Sequence, residues 1–215
     1  MSEAKRRQGS LDFFEEIMRT ILRAILLVMF AAPFVHAQGP AVAGVGPVIE
    51  AGVGYQYVDA SVPSQNSLGM NGVQLVANAD FSRRFGVALD LGYSRNFDAY
   101  NSGHTADLLT YMAGPIFYPV RKRNWYVYTH LLVGGARETG VNFESNGQIV
   151  LGYANRFAWA GGGGFEYRLS RAFAVRMGAD YLRTSFYNSN IQLQGQSNLR
   201  PSVSLIYTFG EGRER

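Results

Sequence analysis

The chain has 215 residues, of which 47% are hydrophobic and 13% aromatic, and it carries a formal net charge of +4. This composition excludes an intrinsically disordered chain. The basic residues occur in short groups, such as those around Arg83 and Lys122, and follow no continuous stripe, which argues against a nucleic-acid partner. The absence of cysteine excludes disulfides, thiolate metal sites and cysteine nucleophiles.

A segment near the N-terminus, residues 18–38, has the order of features found in secretory signal peptides. Arg19 and Arg23 precede an apolar run that is too short to span a bilayer, and a small-x-small cleavage site ends at Ala37. This pattern predicts a cleaved signal peptide; a buried N-terminal helix is the alternative. Because acidic side chains dilute the charge of the first 17 residues, we expect translation to start at Met18.

Eight segments in which apolar and polar residues alternate follow the signal peptide. In residues 85–95, for example, Val87, Leu89 and Leu91 alternate with small or polar residues. A period of two predicts strands with two unlike faces. The predicted strands cover residues 47–59, 72–81, 85–95, 108–119 and 125–137, two strands that include the stretch FEYRLSRAFAVRMGADYLR (165–183), and residues 202–209.

The connections between these strands alternate strictly in length, beginning with a long one. Three are short, residues 82–84, 120–124 and 170–172, and four are long and polar, residues 61–71, 96–107, 138–155 and 185–198. One end of the structure therefore has only tight turns, and the other end has all the polar loops. A soluble sandwich has no reason to sort its connections in this way, whereas an outer-membrane barrel does, with its turns in the periplasm.

Aromatic residues near both ends of the predicted strands would form the two interfacial girdles of such a barrel. A sheet surrounded by lipid cannot leave edge N–H and C=O groups unpaired, so it must close. We therefore predict an all-β fold, an eight-stranded antiparallel up-and-down transmembrane β-barrel. A soluble lipocalin-like binder is the alternative, but it would need an apolar interior and a polar exterior, the reverse of this pattern.

In such a barrel the apolar face meets lipid and the charged face points inward. The interior of eight strands is just wide enough for side chains to fill, so buried charges must pair. Inner-face glycines would make room for long arginines. The predicted interior polar network consists of Glu50, Asp80, Asp90, Glu166, Arg168, Arg176 and Asp180, with His130 as a further candidate.

The turn at residues 170–172 sets a specific register between the sixth and seventh strands. A three-residue turn places Leu169 opposite Phe173 and Glu166 opposite Arg176, whereas a two-residue turn would oppose inward to outward residues. We therefore predict a Glu166–Arg176 pair inside the barrel. Two further acidic partners are expected near it: Glu50 and Asp80.

Four features of the sequence resemble the small outer-membrane β-barrel family related to OmpA and OmpX. They are the signal peptide, the eight strands, the run AGGGGFEYRLS followed by RAFAVRMGADYLR, and a last strand that ends in LIYTFG. The resemblance covers residues 47–209. It implies a location in the outer membrane, with outer-membrane lipid and the outer-membrane assembly machinery as partners. It also implies an assembly signal formed by Ser202, Tyr207 and Phe209, although Ser204 stands where the family pattern has glycine.

The predicted organisation follows from these boundaries. Residues 1–37 form the signal peptide, with residues 1–17 preceding the true start, and residues 38–46 form a linker. Residues 47–209 form the barrel, and residues 210–215 form a C-terminal tail that extends beyond the last strand.

No motif in the sequence predicts a catalytic, cofactor or metal site. The four glycines of residues 161–164 are not followed by the Lys-Ser/Thr of a phosphate loop. His104 is a lone histidine in a polar loop, and His130 has no serine at a spacing typical of a lipid-A-deacylating barrel.

Three functions are compatible with this pattern. The leading hypothesis is a non-enzymatic envelope protein that stabilises the membrane or presents its loops to an extracellular partner. The second is a narrow ion or solute channel gated by the interior charges, and the third is a lipid-modifying enzyme. The loop residues suited to adaptable contacts are Tyr100, Phe143, Tyr153 and Tyr187.

Overall fold

The computed structural model describes residues 47–61, 67–143, 149–189 and 192–209. The predicted signal peptide, the linker and the C-terminal tail lie outside these residues. Within them, no helix has the length and apolar character that a membrane span requires.

The described residues form one closed barrel of eight antiparallel strands, in which each strand pairs with its neighbours in sequence and the last pairs with the first. This confirms the predicted fold class. A short 3-10 helix lies at Ala99–Asn101. The strands are β1 (Val48–Ala60), β2 (Leu68–Asp80), β3 (Phe85–Asn96), β4 (Ala106–Arg121), β5 (Trp125–Phe143), β6 (Ile149–Arg168), β7 (Phe173–Ser189) and β8 (Gln192–Phe209).

Apolar side chains on alternate positions cover the outside of the barrel, as the two-residue period predicts. Val53, Leu75 and Met177 are examples of outward residues that only lipid can cover. Trp125 stacks with Phe165 at the end that carries the three short turns, with 5.7 Å between the ring centroids. We call this end the turn end and the opposite one the loop end.

Two of the four long connections are much shorter than predicted, which corrects the sequence interpretation. β5 and β6 stay paired as far as Phe143 and Ile149, and β7 and β8 as far as Ser189 and Gln192. The last strand therefore begins ten residues before the predicted start at Ser202. These extensions lie beyond the lipid, where a strand needs backbone pairing but no apolar face, so they lack the alternation that reveals a strand in sequence.

The predicted register between β6 and β7 is confirmed, because Glu166 lies opposite Arg176. The backbone N–H groups of Leu169 and Ser170 both donate to the carbonyl of Phe173, at 2.9 and 3.0 Å. The Ser170 hydroxyl accepts hydrogen bonds from the backbone N–H groups of residues 172 and 173. The turn lacks the glycine usual in three-residue hairpin loops, and the serine side chain stabilises it instead.

The turn between β2 and β3 uses the same device. The backbone N–H groups of Phe81 and Ser82 donate to the Phe85 carbonyl, both at 3.1 Å. The Ser82 hydroxyl accepts from the N–H of Phe85 at 2.9 Å. A Ser-Arg-x-Phe sequence therefore builds both hairpins, and each places an arginine at the tip of the turn end.

Candidate functional site

The interior of the barrel contains an arginine held by two carboxylates near the turn end. Arg176 Nε donates to Glu166 Oε2 at 2.8 Å, and its Nη2 donates to Glu50 Oε2 at 3.1 Å. The guanidinium also lies over the ring of Tyr128, 4.9 Å from its centroid. We call Arg176, Glu50 and Glu166 the turn-end clamp. Register alone brings Glu166 to Arg176, whereas closure of β8 onto β1 brings Glu50 into reach.

A second arginine forms an equivalent group in the middle of the barrel. Arg200 is 0% exposed; its Nη1 donates to Asp90 Oδ1 at 2.7 Å, and its Nη2 donates to Asp180 Oδ2 at 2.6 Å. We call these three residues the central clamp. His130 Nε2 lies 2.7 Å from Asp180 Oδ1, and Gln74 Nε2 donates to Asp90. Every carboxylate of the clamp therefore has a second partner.

Arg200 was not among the predicted interior residues, although it lies two positions before the inward-facing Ser202 and therefore on the same face of the strand. The alternating pattern could not be followed back to Arg200, because Pro201 comes directly after this arginine and interrupts the strand pattern. The structure accommodates this proline where the β1–β8 ladder is interrupted, between the Gln56–Ser202 and Asp59–Leu199 pairs. A proline lacks the N–H that a continuous ladder needs, so an interruption is the expected place for it.

Apolar side chains fill the lumen on the loop-end side of the central clamp. Val58, Met70, Leu132 and Leu182 are each no more than 2% exposed, and they belong to one apolar cluster. Between the two clamps, a cavity of about 20 Å³ is lined by residues that include Asp90, Arg176 and Asp180. Such a volume holds about one water molecule.

The other predicted network residues lie at the turn-end opening. Asp80 was expected to be a partner of Arg176. It accepts instead from Arg121 Nη2, at 2.8 Å. Arg168 is half-buried, with its guanidinium 5.4 Å from the ring centroid of Tyr126. The predicted network is therefore divided between two buried clamps and an open mouth. Arg121 was not predicted, because residues 120–124 read as a connection.

The inner-face glycines were expected to make room for the arginines, but they make room for the side chains that contact the arginines. A Cβ at Gly178 would collide with the Tyr128 hydroxyl, and one at Gly162 would collide with the Asp180 carboxylate. Tyr128 and Asp180 in turn hold the two clamp arginines. The glycines of residues 161–164 lie in the middle of β6, within the barrel wall.

The residues of the predicted assembly signal lie near the end of β8. Ser202 faces inward, whereas Tyr207 and Phe209 are exposed on the lipid face with their ring centroids 4.9 Å apart. Tyr207 also packs edge-on against Phe173, at 5.3 Å. The two aromatic rings form part of the turn-end girdle; their role in assembly stays a prediction.

Among the described residues, the loop end carries an ion pair and several exposed aromatic rings. Arg95 Nη2 donates to Asp107 Oδ2 at 2.9 Å, and Tyr153 is 70% exposed. The side chains of Tyr100, Phe143 and Tyr187 lie outside the described part of the chain. Among the described residues, no three acidic or histidine side chains are grouped as metal ligands would be.

The comparisons with known proteins agree with this geometry. A family model described as outer membrane protein beta-barrel domain matches residues 23–207. No curated protein sequence matches the chain. One similar solved structure is that of Ail, the attachment invasion locus protein of Yersinia pestis, in complex with the heparin analogue sucrose octasulfate. Its sequence is 16% identical to this chain and its TM-score is 0.54, and the alignment covers 77% of this chain and 100% of Ail.

Neisserial surface protein A is 13% identical with a TM-score of 0.55, and the alignment covers 77% of this chain and 98% of that protein. These two likenesses show a shared fold. The family match covers most of the chain and includes seven complete strands and all but the last two residues of β8. The chain therefore belongs to the outer membrane protein beta-barrel domain family, whose members lie in the outer membrane.

Proposed function

We propose that this protein is a non-enzymatic outer-membrane barrel with a closed lumen, and that its strand extensions present a surface to a partner outside the cell. In barrels of this type the short turns face the periplasm and the long connections face outward. The turn end is then periplasmic and the loop end extracellular.

The observation that carries the closed lumen is the complete burial of Arg200 between two carboxylates. A channel would have to separate this buried group or move the apolar side chains beyond it. Removing one partner from a buried ion pair costs about 3–5 kcal/mol, so spontaneous rearrangement of the clamp is rare. The cavity between the clamps is too small for a hydrated ion.

The same geometry argues against the enzymatic alternative. His130 is the histidine that a lipid-modifying barrel would use, and its Nε2 is bonded to Asp180 inside the lumen. A lipid head group cannot enter the 20 Å³ cavity beside it. His130 therefore fits a structural role in the central clamp.

The surface role rests on the unequal lengths of the strands. β6 has 20 residues and β5 has 19, whereas β3 has 12. A tilted crossing needs about 9–11 residues, so β6 continues for roughly ten residues, or about 30 Å, beyond the lipid. Tyr153 lies in this extension with 70% of its surface exposed.

Planar-bilayer recording tests the closed lumen. The folded state of the purified protein is first checked by its altered gel mobility before boiling. We expect no conductance steps under conditions in which a general porin, reconstituted in the same lipid, gives them. Discrete steps from the folded protein that disappear after boiling would refute a closed lumen.

Cysteine labelling tests the exposed extension, because the chain contains no cysteine of its own. In intact cells, a membrane-impermeant maleimide should label Tyr153→Cys. The control Arg123→Cys, at a short turn, should react only after the outer membrane is permeabilised. The reverse pattern would show that the extensions point into the periplasm and would remove the basis for a surface role.

A further inference from the structure

The mouth of the barrel at the turn end, which we call the turn-end mouth, is an open cavity of about 1020 Å³. Its lining brings together cations from all three short turns and from the strand ends beside them. One acidic residue, Asp80, is part of this lining. The cationic lining residues are Arg83, Arg121, Lys122, Arg123, Arg168 and Arg171.

The carboxylates of the described barrel do not neutralise these cations. Asp80 is already paired with Arg121. The glutamates of the turn-end clamp lie deeper in the barrel, where they hold Arg176. Within the described part of the chain, five of the six lining cations make no side-chain hydrogen bond or ion pair: Arg83, Lys122, Arg123, Arg168 and Arg171.

The side chains of residues 210–215, outside the described part of the chain, include two glutamates and two arginines and so sum to no net charge. Among the described residues, the mouth therefore has an excess of positive charge that no carboxylate compensates. Like charges gathered in a concave site repel one another unless an anion joins them.

Two of the guanidinium groups lie against aromatic rings. Arg121 lies 4.5 Å from the ring centroids of both Tyr118 and Tyr126, and Arg168 lies 5.4 Å from that of Tyr126. Arg121 Nη1 also donates to the Arg83 carbonyl at 3.3 Å. Guanidinium groups fixed in this way lose little freedom on binding, and their fork of N–H donors matches phosphate oxygens.

We propose that the turn-end mouth is a binding site for a phosphate-bearing anion with at least two negative charges. Several converging cations suit a group that accepts hydrogen bonds on every side, as phosphate does. A cavity of this volume is also at the upper end of the range of small-molecule sites. The site does not depend on whether the lumen conducts.

Two periplasmic sources offer this chemistry. One is a free oligophosphate or a phosphorylated solute. The other is the head group of a phospholipid in the inner leaflet, because the lining residue Leu169 is an apolar side chain with 61% of its surface exposed at the rim. Both sources would use the same cations.

Isothermal titration of the full-length protein in phosphatidylcholine nanodiscs with tripolyphosphate tests the proposal. Each cation near a membrane surface contributes about fivefold in affinity. We therefore expect Lys122→Gln/Arg123→Gln to weaken binding about 25-fold and added salt to weaken it further. Both residues are exposed on a turn, and the gel-mobility shift confirms that the variant folds.

The matched control is Arg156→Gln/Arg183→Gln, which removes the same two charges from exposed positions at the loop end. It should change the affinity by less than twofold. An unchanged affinity in the mouth variant, or an equal loss in the control, would overturn the proposal. The absence of tripolyphosphate binding to the wild-type protein would also overturn it.

Repeating the titration in nanodiscs that contain phosphatidylglycerol identifies the source. If a lipid head group occupies the mouth, tripolyphosphate should bind the wild-type protein more weakly in these discs. Equal affinity in both kinds of disc assigns the site to a soluble phosphate. Either result upholds the site and selects its ligand.

Discussion

Replacing Arg200 with methionine should destabilise the barrel more than any exposed substitution. The change keeps an unbranched chain in the lumen but leaves Asp90 and Asp180 without the guanidinium that donates to both, at 2.7 and 2.6 Å. Removing one member of a buried ion pair costs about 3–5 kcal/mol. His130 still contacts Asp180 and Gln74 still donates to Asp90, so each carboxylate keeps one hydrogen bond but loses its guanidinium. We therefore expect the free energy of unfolding to fall by about 3–5 kcal/mol.

The measurement is urea unfolding of the protein in lipid vesicles at pH 7, followed by the fluorescence of Trp125 and Trp159. Arg183→Met is the matched control, since this arginine is exposed and its Nη1 donates only to the Tyr181 hydroxyl at 3.3 Å. It should change the free energy of unfolding by at most about 0.5 kcal/mol.

A rescue variant separates lost charge compensation from lost packing. Combining Arg200→Met with Asp90→Asn and Asp180→Asn removes the uncompensated charges while keeping similar volumes, so it should recover at least half of the lost stability. If Arg200→Met unfolds like Arg183→Met, Arg200 does not stabilise the barrel. A rescue variant less stable than Arg200→Met alone would show that the loss does not come from uncompensated charge.

A double-mutant cycle of Glu166 and Arg176 in the same assay should give a coupling of at least about 1 kcal/mol, and additive effects would contradict their ion pair. Phe209→Ala should lower the amount of barrel assembled in the outer membrane, as measured by heat-modifiable protein in membrane fractions, whereas deleting residues 210–215 should have little effect; the opposite ranking would disprove the predicted assembly signal. Burial raises the pKa of Glu138, which lies beyond the loop-end girdle, to about 7. Because the unfolded chain releases this proton first, stability should fall as the pH rises from about 4.5 to 7 and stay lower above it. Glu138→Gln should remove this loss of stability, which amounts to up to about 3 kcal/mol at pH 8. If the variant has the same pH profile of stability as the wild-type protein, Glu138 is not the group that titrates.

The sequence by itself determined the parts of this protein that depend on local contacts or on the surrounding lipid. Lipid demands an apolar side chain at every second outward position, so the strands that cross the membrane carry a pattern that can be read directly. Turn length determines the register of a hairpin, so Glu166 could be placed opposite Arg176 from a three-residue turn alone. The strand extensions are constrained neither by lipid nor by turn length, and their sequence therefore predicted loops.

The tertiary structure alone decided which charges meet across the lumen. Arg200 is 110 residues from Asp90 along the chain, and Arg176 is 126 residues from Glu50. These contacts exist because the sheet closes with a particular stagger, which brings side chains on distant strands to the same height. No local pattern records that stagger, and Pro201 interrupts the one strand in which Arg200 could have been recognised. The assembly of six cations at the turn-end mouth has the same origin, since each short turn with its adjoining strand ends contributes only one to three of them and closure of the barrel brings the three turns together.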